Sequence, residues 1–198
     1  MSARSVYLFD VDGVLADFIY GFTTLGHKLF GTPITRTLDQ PLRDVYPGMT
    51  NEQVATVWEH VAAARFFWYE LPTMISDNER DGLADLCDAR EVYFVTARKG
   101  PDNVHEQTAS WLADSLVIHN PQVIITPKKS TIASAFGTDG VAALWSIDDY
   151  EKNVNAISQH TDNSYLLDRG YNRRAIIGPA AKRVDSLETY LSLIYKEA

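Results

Sequence analysis

Short apolar runs alternate with amphipathic stretches along most of this chain. The runs are rich in β-branched and aromatic residues, and the stretches between them repeat apolar residues at helical spacing. Runs that are apolar throughout are typical of strands buried on both faces of a parallel sheet. The alternation therefore predicts an α/β fold with a Rossmann-like, doubly wound parallel sheet. Strands are predicted at residues 6–10, 92–96, 123–126, 141–147 and 164–168.

Several helix boundaries are indicated by the residues that cap them. Ser76 and Thr50 each stand three residues before a Glu or a Gln, which is the spacing of a capping box. Asp102 is a candidate N-cap, and Gly137 is expected to end a short helix. Helices are therefore predicted to begin near residues 14, 50, 76, 102 and 128.

The stretch from residue 17 to residue 75 breaks the alternation, because helical patterns and no strand are indicated there. The prolines of residues 32–47 indicate an irregular linker between its two helices. We predict a helical cap of residues 17–75, inserted after the first strand, on a catalytic core of residues 1–16 and 76–198. Such a cap would act as a lid that excludes water from the sheet edge. Two extra helices packed rigidly on the core are the alternative.

Composition limits the cellular locations and the binding partners to be expected of the protein. Its 198 residues suffice for one core with a small inserted domain. The net charge of −8 disfavours nucleic-acid and anionic-membrane surfaces, which require basic patches. The lone Cys87 excludes an internal disulfide, and no apolar run approaches the roughly 20 residues of a membrane span. No signal peptide precedes the first strand, so we expect a cytoplasmic location without nucleic-acid or membrane partners.

Pairs of aspartates follow two of the predicted strands. Asp10 and Asp12 come at the end of the first strand, before Gly13, and Asp148 and Asp149 follow the fourth. The carboxyl ends of parallel strands are where α/β proteins build their sites. Acids buried there require a cation, a proton or hydrogen bonds. Because oxygen donors suit Mg²⁺, the sequence predicts a magnesium site, with polar turns devoid of chemistry as the alternative.

The ends of the second and third predicted strands carry a hydroxyl and an ammonium group. Thr96 ends the second predicted strand, where its hydroxyl can donate to a phosphoryl oxygen. Lys128 and Lys129 follow the third strand, where a lysine can neutralise phosphate charge and steady a carboxylate nucleophile. Either signal alone is weak, but together with the four acids they indicate phosphoryl transfer.

These four segments, in this order, resemble the haloacid dehalogenase-like hydrolase superfamily over residues 7–153. The resemblance implies the core fold of that superfamily and a nucleophilic Asp10 that forms an aspartyl-phosphate. It implies that Asp12 protonates the leaving oxygen and then activates water. An acid at position 12 favours phosphoryl transfer over dehalogenation, because the dehalogenase branch lacks both that acid and the metal.

The same resemblance implies a metal site and a phosphoryl-binding site. Mg²⁺ would be held by Asp10, by the backbone carbonyl of Asp12 and by Asp149, with Asp148 sharing the metal or supporting its ligands. The implied phosphoryl-binding groups are Thr96 and Lys129, with Lys128 as the alternative lysine.

A closer resemblance is to the 5′(3′)-deoxyribonucleotidase family. It rests on the first motif through Phe18, the aromatic segment 65–72, Asp148-Asp149 with Asn153, and a terminal Asp-x-x-Tyr-Asn-like segment within residues 166–173. The resemblance implies a nucleoside monophosphate substrate and a homodimer, although no motif specifies the dimer. The implied substrate-binding residues are Phe18, Phe67, Trp68, Thr96, Ala97, Arg98 and Lys129.

Ala97 and Arg98 depart from the pattern of that family, in which smaller groups contact the substrate. Arg98 could bind a phosphate or a base carbonyl, or point to solvent. For Phe66, Phe67 and Trp68, packing between cap and core is an alternative to substrate binding. A sugar phosphatase or phosphomutase, a 3′-phosphatase of nucleic-acid ends and a non-catalytic binding protein are the competing functions.

Overall fold

A parallel six-stranded sheet forms the centre of the molecule in the computed structural model, which describes residues 4–39, 46–138 and 140–197. Its strands are β1 (Ser5–Phe9), β2 (Glu91–Thr96), β3 (Gln122–Ile125), β4 (Ala143–Asp148), β5 (Asn163–Leu167) and β6 (Ala181–Val184). Their spatial order is β3-β2-β1-β4-β5-β6. The chain moves from β1 to one edge and then returns to build the other side, which confirms the predicted doubly wound sheet. The switch point lies between β1 and β4, where ligands of such sheets bind.

Helices connect these strands and cover both faces of the sheet. Tyr7 and Phe9 of β1 belong to one apolar cluster, and Val6 and Leu8 belong to a second one. Because successive side chains of a strand point to opposite faces, these two clusters lie on opposite sides of the sheet. The helices are α1 (Phe18–Phe30), α2 (Asn51–Ala63), α3 (Asp77–Ala89), α4 (Val104–Leu116), α5 (Lys129–Thr138), α6 (Glu151–Ile157) and α7 (Leu187–Glu197).

The capping residues account for most of the helix starts. The predicted capping boxes are present at Thr50, before α2, and at Ser76, before α3. Helix α1 begins at Phe18 rather than near residue 14, because Asp17 is its N-cap and accepts a hydrogen bond from the amide of Tyr20 at 3.1 Å. The residues just before Asp17 form a tight turn, whose amides donate to the carbonyl of Val11.

Two further local predictions are wrong, and one strand was not predicted. The N-cap of α4 is Asn103 rather than Asp102. Gly137 lies inside α5, because it does not adopt the positive φ that would end a helix there. Strand β6 was not predicted, because its sequence Ala-Lys-Arg-Val lacks an apolar run. It lies at the edge of the sheet, where charged side chains are ordinary.

Helices α1 and α2 fall within the predicted cap, between β1 and β2. Where the chain leaves and re-enters the core, Asp17 N donates to Pro72 O at 2.9 Å and Met74 N donates to Leu15 O at 2.8 Å. The two crossings are therefore hydrogen-bonded to each other. Part of the predicted irregular linker, residues 40–45, lies outside the described residues. Within the described chain, no helix is both long and apolar enough to cross a membrane.

Candidate active site

The carboxyl edge of the sheet brings together one ammonium group and two carboxylates. Asp10 follows β1, Asp148 ends β4 and Lys129 begins α5. Lys129 Nζ lies 2.6 Å from Asp10 Oδ1 and 2.7 Å from Asp148 Oδ2. All three residues are at most 5% exposed, so these ion pairs are little screened by water. Lys128 is exposed on the preceding turn, so the structure places Lys129, and not Lys128, in this cluster.

Three acids of this edge form a group that could hold a metal ion. Asp10, Asp148 and Asp149 each offer one carboxylate oxygen, and these oxygens lie within 4.8 Å of one another. One ammonium group cannot neutralise three buried carboxylates, so the donor set fits a hard divalent cation. Burial raises the pKa of Asp10 well above its ordinary value, the charge of Asp148 raises it further, and Lys129 opposes both effects. Burial alone would lower the pKa of Lys129, but the charges of Asp10 and Asp148 raise it.

Neighbouring groups fix the orientation of Asp148. Its carboxylate accepts hydrogen bonds from the amide of Tyr150 at 2.8 Å and from Asn153 Nδ2 at 3.0 Å. With Lys129, these donors come from three directions, and both Tyr150 and Asn153 lie at the start of α6. Asp148 is therefore held by hydrogen bonds even though it is fully buried.

Asp149 is supported by the segment that follows β5. Tyr171 donates a hydrogen bond from its hydroxyl to Asp149 Oδ2. Asn172 Nδ2 donates to the backbone carbonyl of Asp149 at 2.8 Å, and it also donates to Leu167 O at 2.8 Å. Gly13, with a φ of +85°, approaches this carboxylate so closely that a Cβ would overlap Asp149 Oδ2. Position 13 therefore requires glycine, because its φ is positive and because Asp149 leaves no room for a Cβ.

The carboxylate of Asp12 is held apart from the other three acids. Arg98 Nη2 donates to Asp12 Oδ1 at 2.8 Å and Arg98 Nε donates to Oδ2 at 3.0 Å. Thr96 Oγ1 donates to Asp12 Oδ2 at 3.2 Å. The side chain of Arg98 is completely buried, so the expectation that it could point to solvent is wrong. Thr96 and Arg98 thus converge on Asp12, which sequence reasoning did not predict.

A cavity of about 730 Å³ opens above these residues. This volume is in the range of small-molecule sites. Its lining combines acids and Lys129 with several aromatic side chains. The described residues that line it include Asp10, Asp12, Gly13, Phe18, Thr37, Tyr46, Trp58, Glu59, Trp68, Ala97, Arg98, Lys99, Lys129, Asp149, Tyr150, Asn153 and Tyr171.

The aromatic residues of the cap form one connected group around Phe18. The ring of Phe18 stacks on Trp58 at 5.4 Å and on Trp68 at 5.7 Å, measured between ring centroids. Phe67 packs edge-on against Trp68 at 5.0 Å and is not among the described residues that line the cavity. Phe66 is exposed. The structure therefore places Phe18 and Trp68 at the cavity and Phe67 beside them.

Sequence reasoning missed several residues of the cavity wall. Trp58 lies on the apolar face of α2, for which the helical periodicity of the sequence predicts only packing. Tyr46 lies in a stretch of sequence without hydrophobic periodicity, so the sequence does not indicate where its side chain points. Lys99 follows Arg98 directly, and its exposed side chain was overlooked.

The chain matches one protein family over almost its full length. The family model described as "5′ nucleotidase, deoxy (Pyrimidine), cytosolic type C protein" matches residues 4–196. No curated protein matches the chain significantly in sequence.

Solved structures with the same fold are distant in sequence. One is described as a haloacid dehalogenase-like hydrolase from Burkholderia xenovorans LB400, with 16% identity, a TM-score of 0.60 and 98% of both chains covered. A protein described as a beta-phosphoglucomutase from Thermotoga maritima has 15% identity and a TM-score of 0.56, over 98% of this chain and 100% of that chain. The D,D-heptose 1,7-bisphosphate phosphatase from Burkholderia thailandensis has 11% identity and a TM-score of 0.55, over 97% and 99%.

These structural similarities establish the fold, and the family match extends over the acid cluster, the Arg98–Asp12 pair and the cavity described above. The chain therefore belongs to the family of 5′ nucleotidases, deoxy (pyrimidine), cytosolic type C, and it is a phosphatase of the haloacid dehalogenase type.

Proposed function

We propose that this protein is a Mg²⁺-dependent phosphomonoesterase that hydrolyses nucleoside monophosphates through an aspartyl-phosphate on Asp10. The observation that carries the proposal is the cavity, whose lining includes Asp10 and Asp149 of the buried acid group together with several aromatic side chains. The acids suit a metal and a phosphoryl group. The aromatic walls suit a flat, largely apolar group such as a nucleobase.

The metal site of this proposal uses residues that already lie together. Asp10, Asp149 and the backbone carbonyl of Asp12 would hold Mg²⁺, with Asp148 sharing or supporting it. The chemistry that Mg²⁺ supplies when bound is neutralisation of phosphoryl charge. Lys129, which contacts Asp10 and Asp148, adds a fixed positive charge at the same point.

Two transfers complete the reaction. A carboxylate oxygen of Asp10 attacks phosphorus, so that an Asp10–phosphorus bond forms and the ester bond to the leaving oxygen breaks. Asp12 carries a proton in the substrate complex and gives it to that leaving oxygen, which returns Asp12 to the carboxylate that pairs with Arg98. Asp12 then takes a proton from water, whose oxygen attacks phosphorus, releases inorganic phosphate and restores the carboxylate of Asp10. Lys129 stabilises the ionised Asp10 throughout, and the chain at Ala97, which lines the cavity, contributes to phosphoryl binding, while the hydroxyl of Thr96 is engaged with Asp12.

Substrate choice is assigned to the cap side of the cavity. Phe18, Trp58 and Trp68 present aromatic surface there, and Tyr46 adds to it. A nucleobase buries well against such rings, whereas a sugar phosphate without a base would leave them uncovered. This surface favours a nucleotide over a sugar phosphate, although a heptose bisphosphate phosphatase and a protein described as a phosphoglucomutase share the fold.

The remaining parts of the proposal concern the division into cap and core, the oligomeric state and the cellular location. Residues 17–75 would act as a cap over a core of residues 1–16 and 76–198, and their aromatic residues at the cavity support this division. A homodimer rests on the family resemblance. A cytoplasmic location is supported by the description of the family as cytosolic.

The test is phosphate release from a panel of ribo- and deoxyribonucleoside 5′- and 3′-monophosphates, with sugar phosphates alongside, each with Mg²⁺ and with chelator. We expect metal-dependent release from one or a few nucleotides. Release from sugar phosphates alone would contradict the substrate assignment and keep the chemistry. No release from any phosphate ester would contradict the enzymatic proposal, and Asp10→Asn serves as the blank in every assay.

A further inference from the structure

Arg98 makes an unusually complete set of contacts for a residue next to an active site. Its Nε and Nη2 both donate to the carboxylate of Asp12, while Nη1 donates to Thr108 Oγ1 at 3.1 Å. Thr108 in turn donates to the carbonyl of Val104, one helical turn earlier in α4. The guanidinium group is therefore fixed at each of its nitrogens.

Aromatic rings hold the same guanidinium group from its sides. Arg98 Cζ lies 4.9 Å from the ring centroid of Trp68 and 5.7 Å from that of Trp111. Both tryptophans are anchored, because Trp68 Nε1 donates to Lys99 O and Trp111 Nε1 donates to Leu71 O. Contact with aromatic faces suits the guanidinium group of an arginine and adds to the restraint on Arg98.

These contacts leave Arg98 poorly placed as a simple phosphate ligand. The planar fork that would bind two phosphate oxygens is already aligned with the two oxygens of Asp12. Removing it from Asp12 would leave a carboxylate without its charge partner and would break the contact with Thr108. The same contacts instead fix the carboxylate of Asp12, a residue that lines the cavity.

We propose that Arg98 is a positioning residue that clamps Asp12 in the orientation needed for proton transfer to the leaving oxygen. This inference rests on the proposed function. It assigns Arg98 to proton transfer rather than to substrate binding. The carboxylate of Asp12 is thereby kept away from the group formed by Asp10, Asp148 and Asp149, where a fourth acid would turn toward the cation instead.

The leaving group provides the test. Departure of a nucleoside alcohol requires a proton, whereas p-nitrophenolate departs from p-nitrophenyl phosphate without one. The ratio kcat/KM reports only the steps up to that departure, so the later role of Asp12 as a base does not enter it. In Arg98→Lys, which keeps the charge and loses the fork, we expect kcat/KM to fall roughly 10- to 100-fold for the nucleotide. For p-nitrophenyl phosphate we expect a fall of less than about 5-fold.

Equal losses on both substrates would overturn the proposal, because an arginine that binds the phosphate serves both equally. A double-mutant cycle with Asp12→Asn gives the second readout. If Arg98 acts through Asp12, Arg98→Lys adds no further leaving-group effect in the Asp12→Asn background, whereas additive losses would overturn the assignment.

A milder variant, Thr108→Val, serves as a control for effects of Arg98→Lys on folding. Thr108→Val removes only the hydroxyl that accepts the bond from Arg98 Nη1, and it retains the volume and the charge of the site. We expect Thr108→Val to show the same selective loss of kcat/KM on the nucleotide, smaller than the loss in Arg98→Lys. This result does not depend on the unfolding temperature of Arg98→Lys. A Thr108→Val protein that loses activity equally on both substrates would overturn the proposal. A wild-type protein inactive on both the nucleotide and p-nitrophenyl phosphate would overturn the proposed phosphatase chemistry itself, and this inference with it.

Discussion

Replacing Lys129 by methionine would test whether the buried charges at the sheet edge are arranged as described. The ammonium group lies 2.6 Å from Asp10 and 2.7 Å from Asp148, and all three groups are buried. Removing one partner of a buried ion pair typically costs about 3–5 kcal/mol, because the remaining charge is left uncompensated. For a chain of 198 residues, each kcal/mol corresponds to about 2–4 °C in the unfolding temperature. We therefore expect Lys129→Met to unfold roughly 6–20 °C lower in the absence of Mg²⁺.

The sign of the pH dependence follows from Asp10. Its pKa in the folded protein lies well above its ordinary value of 3.8, so the folded state binds more protons than the unfolded state between the two values. Stability is lost as the pH rises through that window, and removing Lys129 widens the window, because Lys129 opposes the rise. The variant should therefore be less destabilised at about pH 5 than at about pH 8.

Thermal unfolding at both pH values, with and without Mg²⁺, measures these effects. A divalent cation that binds the folded acids should restore part of the lost stability of Lys129→Met. Lys128→Met is the matched control, because Lys128 is the exposed neighbour on the same turn, and its substitution should change stability by no more than about 0.5 kcal/mol. A loss of less than about 1 kcal/mol in Lys129→Met near pH 8 would refute the reasoning from buried charge.

The site supports three further predictions. Asp10→Asn should abolish phosphate release while the protein remains folded, and release near the wild-type rate would contradict a nucleophilic Asp10. Gly13→Ala should weaken Mg²⁺ binding, measured as the Mg²⁺ concentration at half-maximal activity, because its Cβ overlaps the carboxylate of Asp149 and its φ is +85°. Trp58→Ala should raise KM for nucleotides roughly 10-fold or more and leave p-nitrophenyl phosphate nearly unaffected, since a lost aromatic face costs about 1–3 kcal/mol. Equal effects on both substrates would place Trp58 outside the base pocket.

The sequence was sufficient to predict the fold and the acid pairs for a physical reason. Each signal is local: an apolar run reveals a strand, and the residues that follow it must lie at the carboxyl edge of a parallel sheet. Asp10, Asp148 and Lys129 therefore come together in the structure as strand ends. Strand β6 escaped prediction because an edge strand needs no continuous apolar run.

Contacts between residues that are distant in sequence could not be predicted in this way, and Arg98 is an example. Its position in the sequence places it two residues beyond the end of β2, but its partner is decided by the surroundings that tertiary packing creates. Trp68, Trp111 and Thr108 are distant from it or on another element, and only together do they make a site that holds a buried guanidinium group. A buried arginine requires a charge partner, and Asp12 is the carboxylate that its fork reaches. Burial therefore decides between the alternatives for Arg98, and burial is a property of the folded chain rather than of the segment around the residue.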